Sequence, residues 1–304
     1  MKQKKLIVSV GTSAFNEEHN IKNMLESVIS QREKTIKTKE IIVISDGSTD
    51  KTVKIAKSIK DKRISVIDDK RRMGLPMRIN QMLKIFSSDV LVIVDSDMIM
   101  KNKDAVENIT KKFIEDKETA FVCGNTEPLP ARTFLESAIN NYIYARNSLE
   151  NEFSIGSTAY GAHAFIAFSK KFGKFLSIPK NILNPDAYSY FMCKSKGYKT
   201  VFVKDAVAFY RSPQSIRDHI NQATRHIIGG LQLYKYFGKE VVDRGFTVPK
   251  PVLTKLMFLQ LKKNPVGYIV LKLLNFNCQY LSKKNNNFDP KWTTIKSSKK
   301  LLIV

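Results

Sequence analysis

Three short segments of this sequence place acids where they could do chemistry. Ser13-Ala14-Phe15-Asn16-Glu17-Glu18 follows a first apolar run and Asp46-Gly47-Ser48-Thr49-Asp50 follows a second. Asp95-Ser96-Asp97 follows Val90-Leu91-Val92-Ile93-Val94. In an extended chain, side chains two apart share a side, so Asp95 and Asp97 are expected to point the same way. Such a pair suits a hard divalent cation, because Mg2+ or Mn2+ binds through one or two carboxylates together with substrate phosphates. Neither G-x-G-x-x-G nor G-x-x-x-x-G-K-[ST] occurs, so no glycine loop cradles a phosphate. A phosphorylated substrate would then be neutralised by metal and by basic side chains. The residues of 46–50 are those of a turn, with Ser48 or Thr49 expected to cap the next helix. That leaves Asp46 free to accept hydrogen bonds from a base or ribose.

The elements that must position these acids are legible in the first half. Residues 6–10, 41–45, 64–67, 90–94 and 120–123 are short β-branched runs bounded by turn residues. Residues 21–29, 52–59, 76–86 and 105–114 carry helical periodicity between them. This alternation predicts an α/β fold with a doubly wound, mainly parallel sheet flanked by helices. The apolar run 90–94 is expected at its centre, covered on both faces. In such a sheet, ligands bind beyond the carboxyl ends of the strands, where all three acidic segments fall. Past Gly124 the pattern is less regular, with a helix expected over 134–149 and an apolar run over 162–168. From about Pro249 two amphipathic segments follow. The second carries Val266, Ile269, Val270, Leu273, Leu274, Tyr280 and Leu281 as an apolar stripe. No internal repeat occurs, and only the asparagine run 285–287 is locally biased.

The 304 residues, 43% of them hydrophobic, can bury a substantial core. Cys123, Cys193 and Cys278 are few, odd in number and far apart. They suit neither a disulfide framework nor a zinc knuckle, and a reducing compartment follows. No run approaches the length of a membrane-spanning helix, and the first ten residues read as a strand rather than a signal peptide. The net charge of +23, from 51 basic and 28 acidic residues, predicts attraction to anions. The expected location is cytoplasmic, peripheral on the inner face of the membrane.

The acidic segments also resemble known motifs. Ser13-Ala14-Phe15-Asn16-Glu17-Glu18 is similar to the Pro-x-Tyr-Asn-Glu opening of family 2 glycosyltransferases, and Val43 to Asp50 resembles their Asp-Asp-Gly-Ser-x-Asp segment without its first acid. Met73-Gly74-Leu75-Pro76-Met77-Arg78-Ile79-Asn80 is similar to Gly-Lys-x-x-Ala-Leu-Asn, with Leu75 where lysine is frequent. Asp95-Ser96-Asp97 resembles the metal motif. The resemblance implies a GT-A fold, a nucleoside-diphosphate-sugar donor, a divalent cation and inverting transfer. It implies Asp46 on the nucleobase, Asp95 on ribose or sugar, and Asp97, with Asp95, on the metal. Ser13, Asn16, Glu17 and Asn80 would complete the donor site.

Further along, Asn184-Pro185-Asp186 with Gly197-Tyr198-Lys199 resembles the family's Glu-Asp and the helix ending Gly-Tyr-Lys, which places Asp186 at the catalytic base. The first helical turn there would favour its ionised form. Gln222-Ala223-Thr224-Arg225-His226 resembles Gln-x-x-Arg-Trp, with His226 for tryptophan. That implies Gln222 at the donor and Arg225 on the diphosphate, whose oxygens suit a guanidinium. His163 precedes an apolar run and is a weaker candidate for the acceptor side.

The expected organisation is a catalytic domain over 1–248, split into a nucleotide half 1–125 and an acceptor half 126–248, with a basic extension over 249–304. The acceptor is expected to be a glycan or lipid-linked glycan. The extension would rest on an anionic membrane surface, on the catalytic domain or on a second subunit. Two alternatives stand beside this reading: a nucleotidyltransferase acting on a sugar phosphate, and a basic nucleic-acid-binding protein. The first lacks its glycine-rich basic loop, and the second has only charge in its favour, so no nucleic-acid partner is expected.

Overall fold

The computed structural model describes residues 5–284, 291 and 299–301; the asparagine run 285–287 and most of the tail beyond it lie outside these. The first half alternates as β1 (Leu6–Ala14), α1 (Ile21–Ile29), β2 (Ile36–Asp46), α2 (Thr52–Ser58), β3 (Ile64–Asp69), α3 (Leu75–Ile85), β4 (Val90–Val94), β5 (Ile99–Met100), α4 (Ala105–Glu115) and β6 (Thr119–Pro128). Then come α5 (Phe134–Ser148), α6 (Glu150–Phe153), two single 3-10 turns, β7 (Phe165–Ser169), α7 (Lys170–Phe175), α8 (Pro185–Ser195) and β8 (Lys199–Tyr210). The chain closes with α9 (Ile216–Gln232), α10 (Tyr234–Phe237), α11 (Lys239–Phe246), α12 (Lys250–Lys263) and α13 (Pro265–Lys284).

One sheet runs in the order β3-β2-β1-β4-β7-β6-β8-β5. β3, β2, β1 and β4 are parallel, as are β6 and β8; β7 runs against β4 and β6, and β5 against β8. The sheet is therefore mainly parallel, as expected, with two reversed strands that the sequence did not announce. β4 is central and wholly buried. Val90, Val92 and Val94 join the core beneath α1 and α4, while Leu91 and Ile93 join the one beneath α3 and α7. Strand alternation thus feeds two cores, and every residue of the run must be apolar. Gly11 lets α3 approach β1, since a Cβ there would stand 2.5 Å from the Met82 sulfur.

The second half is joined to this frame through a buried ion pair. Arg211, just past β8, meets Glu136 in the first turn of α5 at 2.9 Å, with both side chains nearly inaccessible. Glu136 also completes a capping box with Thr133. α12 and α13 then pack on α5 and α9, through Val252 and Leu256 against Ala145 and Leu149, and through Leu271 against Leu135, Ala138 and Ile139. The apolar stripe expected on α13 is not its buried side. Gly267, Leu271, Cys278 and Ser282 are buried, while Val266, Ile269, Leu273 and Tyr280 face outward. The three cysteines are buried and free. Among the described residues no helix is long and apolar enough to cross a membrane.

Removing one member of the Arg211–Glu136 pair leaves a buried charge alone. Arg211→Met is expected to cost about 3–5 kcal/mol, and adding Glu136→Gln should return part of the loss; urea denaturation of the single and double variants measures both.

Candidate active site

The loops after β1 and β2 are knitted together before either meets a ligand. Asn16 takes a positive φ of 53°, and its side-chain oxygen accepts from the Thr49 N–H at 2.8 Å. The backbone N–H groups of Asn16, Glu17 and Glu18 donate to Ser48, Thr52 and Asp50. Ser48 also reaches back to the Ala14 carbonyl, and Asp50, rather than Ser48 or Thr49, accepts from the Thr52 N–H at the start of α2. Gly47 takes φ 77°, the left-handed region that the tight turn requires.

Asp46 is not free, contrary to the sequence expectation. Its buried carboxylate accepts from the N–H groups of Met73 and Gly74 and from Arg78 Nε at 2.7 Å. The Arg78 guanidinium, fully buried, continues to Asp69, Gln81 and the Arg71 carbonyl. These donors make Asp46 the anchor of the loop 70–74 at the start of α3. Asn80 is committed in the same way. It donates to the Ile178 carbonyl at 2.7 Å and accepts from the Ile178 N–H at 2.9 Å, tying α3 to the segment after α7.

The other predicted acids do come together. Asp95 and Asp97 lie in a turn closed by the Met98 N–H on the Asp95 carbonyl, at 3.2 Å, rather than in extended chain. Ser96 between them donates to the Ser13 carbonyl at 2.9 Å; Ser13 thus enters the site through its backbone. Burial pushes the Asp95 carboxyl well above the usual range, and the charges of Asp97, Asp186 and Glu17 push it the same way, against Arg225. Glu17 is buried too. Desolvation, then the charge of Asp97, raise it from 4.5 to about 7, although Lys299 and Asn20 donate to it.

Asp186 sits at the second position of α8. Asn184 is the cap there, accepting from the Ala187 N–H, so the Asp186 carboxylate is released from that duty and accepts from the Ala164 N–H at 3.0 Å. Desolvation raises it from 3.8 to about 6, with the Ala164 hydrogen bond and Arg225 opposing. The helix terminus was expected to favour ionisation; burial outweighs it here. Arg225, buried on α9, is lowered by desolvation to about 10 while Asp95 and Asp186 hold it up. Gln222 lies one turn before Arg225 and is half-buried. His163 is held low, to about 4, chiefly by burial, and its Nε2 meets the Thr126 hydroxyl at 2.8 Å.

Two participants escaped the sequence reading. Ala164 has a positive φ of 56°; its N–H serves Asp186 while its carbonyl accepts the Asp95 N–H at 3.2 Å. Lys299 arrives from the far end of the chain, donating to the Phe15 carbonyl at 2.7 Å and to Glu17. Leu301 follows it, buried, with its N–H on Asn20 and its carbonyl on Arg211. No local pattern marks either residue.

The donor set fits a divalent cation of the oxygen-seeking kind. Among the described residues no three His, Cys, Asp or Glu side chains could hold a metal by themselves. Asp95 and Asp97 crowd each other instead, which is the one-or-two-carboxylate arrangement that Mg2+ or Mn2+ completes with water and phosphate.

Residues 9–174, more than half of the chain, match the family model described as Glycosyl transferase family 2. The chain belongs to family 2. That stretch holds Glu17, Asp95 and Asp97 but ends before Asp186 and Arg225. Over 192 residues this family 2 chain is 27% identical to the O-antigen chain rhamnosyltransferase of Salmonella typhimurium, covering 61% of this chain and 60% of that protein. Over 114 residues it is 30% identical to the poly-β-1,6-N-acetyl-D-glucosamine synthase of Staphylococcus aureus, covering 37% and 27%. It thus spans less than two thirds of each of these curated relatives. Among solved structures, a mannosyltransferase from Pyrobaculum calidifontis in complex with GDP-Man and Mn2+ superposes with a TM-score of 0.62 at 18% identity, over 94% of this chain and 77% of that one. Glucosyl-3-phosphoglycerate synthase from Mycobacterium tuberculosis, in complex with Mn2+, UDP and glucosyl-3-phosphoglycerate, gives 0.54 at 16%, over 77% and 80%. At these identities the likeness is one of fold, and it is the GT-A fold expected. Neither the nucleotidyltransferase nor the nucleic-acid reading is favoured by any of these.

Glu17 and Asp186 hold protons in the folded chain at pH values where the unfolded chain has released them. Their contribution is present below the unfolded carboxylate range and lost as pH rises through about 6 and 7. Without divalent ions, the melting temperature of the parent relative to Glu17→Gln is therefore expected to fall between pH 5 and pH 7.5, a difference from which the opposite contribution of buried neutral histidines such as His163 cancels; thermal melts of both chains in chelator test this.

Proposed function

We propose that the chain transfers a sugar from a nucleoside-diphosphate sugar to an acceptor hydroxyl, with inversion and with Mn2+ or Mg2+. The observation that carries this reading is the convergence of Glu17, Asp95, Asp97, Asp186 and Arg225 at one end of the sheet in a family 2 chain. The O-antigen chain rhamnosyltransferase and the poly-β-1,6-N-acetyl-D-glucosamine synthase among the relatives point to polysaccharide, so we take the acceptor to be a glycan or lipid-linked glycan. GDP-Man and UDP with Mn2+ in the similar structures support the choice of donor and ion. We divide the chain into a catalytic part, 1–248, and an extension, 249–304, and place it in the cytoplasm, peripheral on the inner membrane face.

In this mechanism Asp97 and Asp95 would hold the cation, which would supply positive charge against the departing diphosphate. Arg225, desolvated and balanced by Asp95 and Asp186, offers its guanidinium to the same phosphates. Asp186 takes the acceptor's proton. The Ala164 N–H fixes its orientation, and burial leaves it a stronger base than an ordinary aspartate while still ionised at neutral pH. A single base acting on the acceptor, with no second carboxylate assigned as nucleophile, gives one displacement and hence inversion. Asp46 and Asn80 serve by holding loops.

Incubating the pure protein with a panel of nucleotide sugars and acceptors tests the reading. Transfer is expected to vanish in chelator and return with Mn2+. Asp97→Asn and Asp186→Asn should each lower kcat about 100-fold or more; full transfer in both variants would refute the assignment. The kcat/KM of the parent is expected to fall as pH drops through about 6, where Asp186 gains its proton.

A further inference from the structure

α13 has two faces of opposite fate. Gly267, Leu271, Cys278 and Ser282 turn inward to α9 and α5. At 100° per residue the opposite side carries Val266, Ile269, Leu273, Phe276 and Tyr280, exposed by 51% to 73%, with Phe276 the most open. Leu253, Met257 and Phe258 of α12 are exposed as well. A row of large apolar side chains left in water at helical spacing marks an interaction surface.

The charges around the row say what covers it. From Thr247 to Asn287 the sequence has seven lysines and no Asp or Glu. Lys262, Lys263, Lys272, Lys283 and Lys284 are all exposed, and Lys272 and Lys284 stand over the rings of Tyr268 and Tyr280. A second copy seated on this face would bring lysines against lysines with no carboxylate from either α12 or α13 between them. An anionic lipid surface supplies the missing charge and also accepts the apolar row. No described helix can cross a membrane, so the arrangement is one of lying in the interface.

We propose that the outer face of α12 and α13 docks on an anionic lipid bilayer, with Leu273 and Phe276 entering the headgroup region and the lysines lying among the phosphates. This deepens the peripheral placement given above, yet it is read by vesicle binding, which needs no sugar transfer; either can fail alone.

The test uses the full chain and vesicles of phosphatidylcholine with and without phosphatidylglycerol, separated by sedimentation. Binding is expected only with phosphatidylglycerol, weakened but not abolished by high salt. Leu273→Ser with Phe276→Ser should lower the partition about tenfold or more at an unchanged melting temperature, because both side chains are already exposed. Lys272→Gln with Lys283→Gln should weaken binding and flatten its salt dependence. Absence of phosphatidylglycerol-dependent binding, an unchanged partition in the Leu273/Phe276 variant, or a dimer in sedimentation velocity that this same variant dissociates would each overturn the proposal.

Discussion

Negative charges held close together in a partly desolvated rim repel one another, and this rim gathers Glu17, Asp95, Asp97 and Asp186 from three separate parts of the chain. Arg225 and Lys299 supply the opposing charge. Neither closes the balance: burial keeps Asp95, Asp186 and Glu17 all above the usual carboxylate range, and the charge of Asp97 adds to it at Asp95 and Glu17. The frame makes this crowding bearable by holding the segments that carry the acids: the Ser96 hydroxyl donates to the Ser13 carbonyl, the Glu17 N–H to Thr52, and the Asp95 N–H to the Ala164 carbonyl. Residual repulsion in a rigid frame is a standing affinity for a small divalent cation, and the phosphates such a cation carries come with it.

Elsewhere the chain contains acids of a different kind. Asp46 and Glu136 are as buried as any in the rim, but each has a guanidinium and backbone donors around it. Their charge is spent in architecture. The comparison gives a physical criterion for sorting carboxylates: those surrounded by donors hold the fold, and those surrounded by other acids hold something the chain itself does not supply.

Much of the first half could be read in advance because each strand is a short β-branched run and each helix has its own period; Ile21–Ile29 and Val90–Val94 fall where the pattern places them. β8 was harder. Lys204 and Asp205 interrupt it, a register shift opposite Gly124 and Asn125 breaks its ladder with β6, and its burial does not alternate. The acids after β4 were visible as a pair, though not as a turn. Arg78 could not be foreseen as the partner of Asp46, because its other ion-pair partner, Asp69, belongs to a third segment and only the closed loop brings them together. Lys299 is 282 residues from Glu17, a pairing with no local trace. The stripe on α13 was seen, but its partner was not, since periodicity reports that a helix has two sides and not which one meets the protein.

Ala164 links the two halves of the rim in a way no single side chain does. One residue in a conformation that L side chains seldom adopt presents its N–H to Asp186 and its carbonyl to the amide of Asp95. Asp186 and Asp95 therefore hang from a shared hinge pin. A displacement of that residue would loosen both at once, because one amino acid's backbone holds the two carboxylate-bearing segments together.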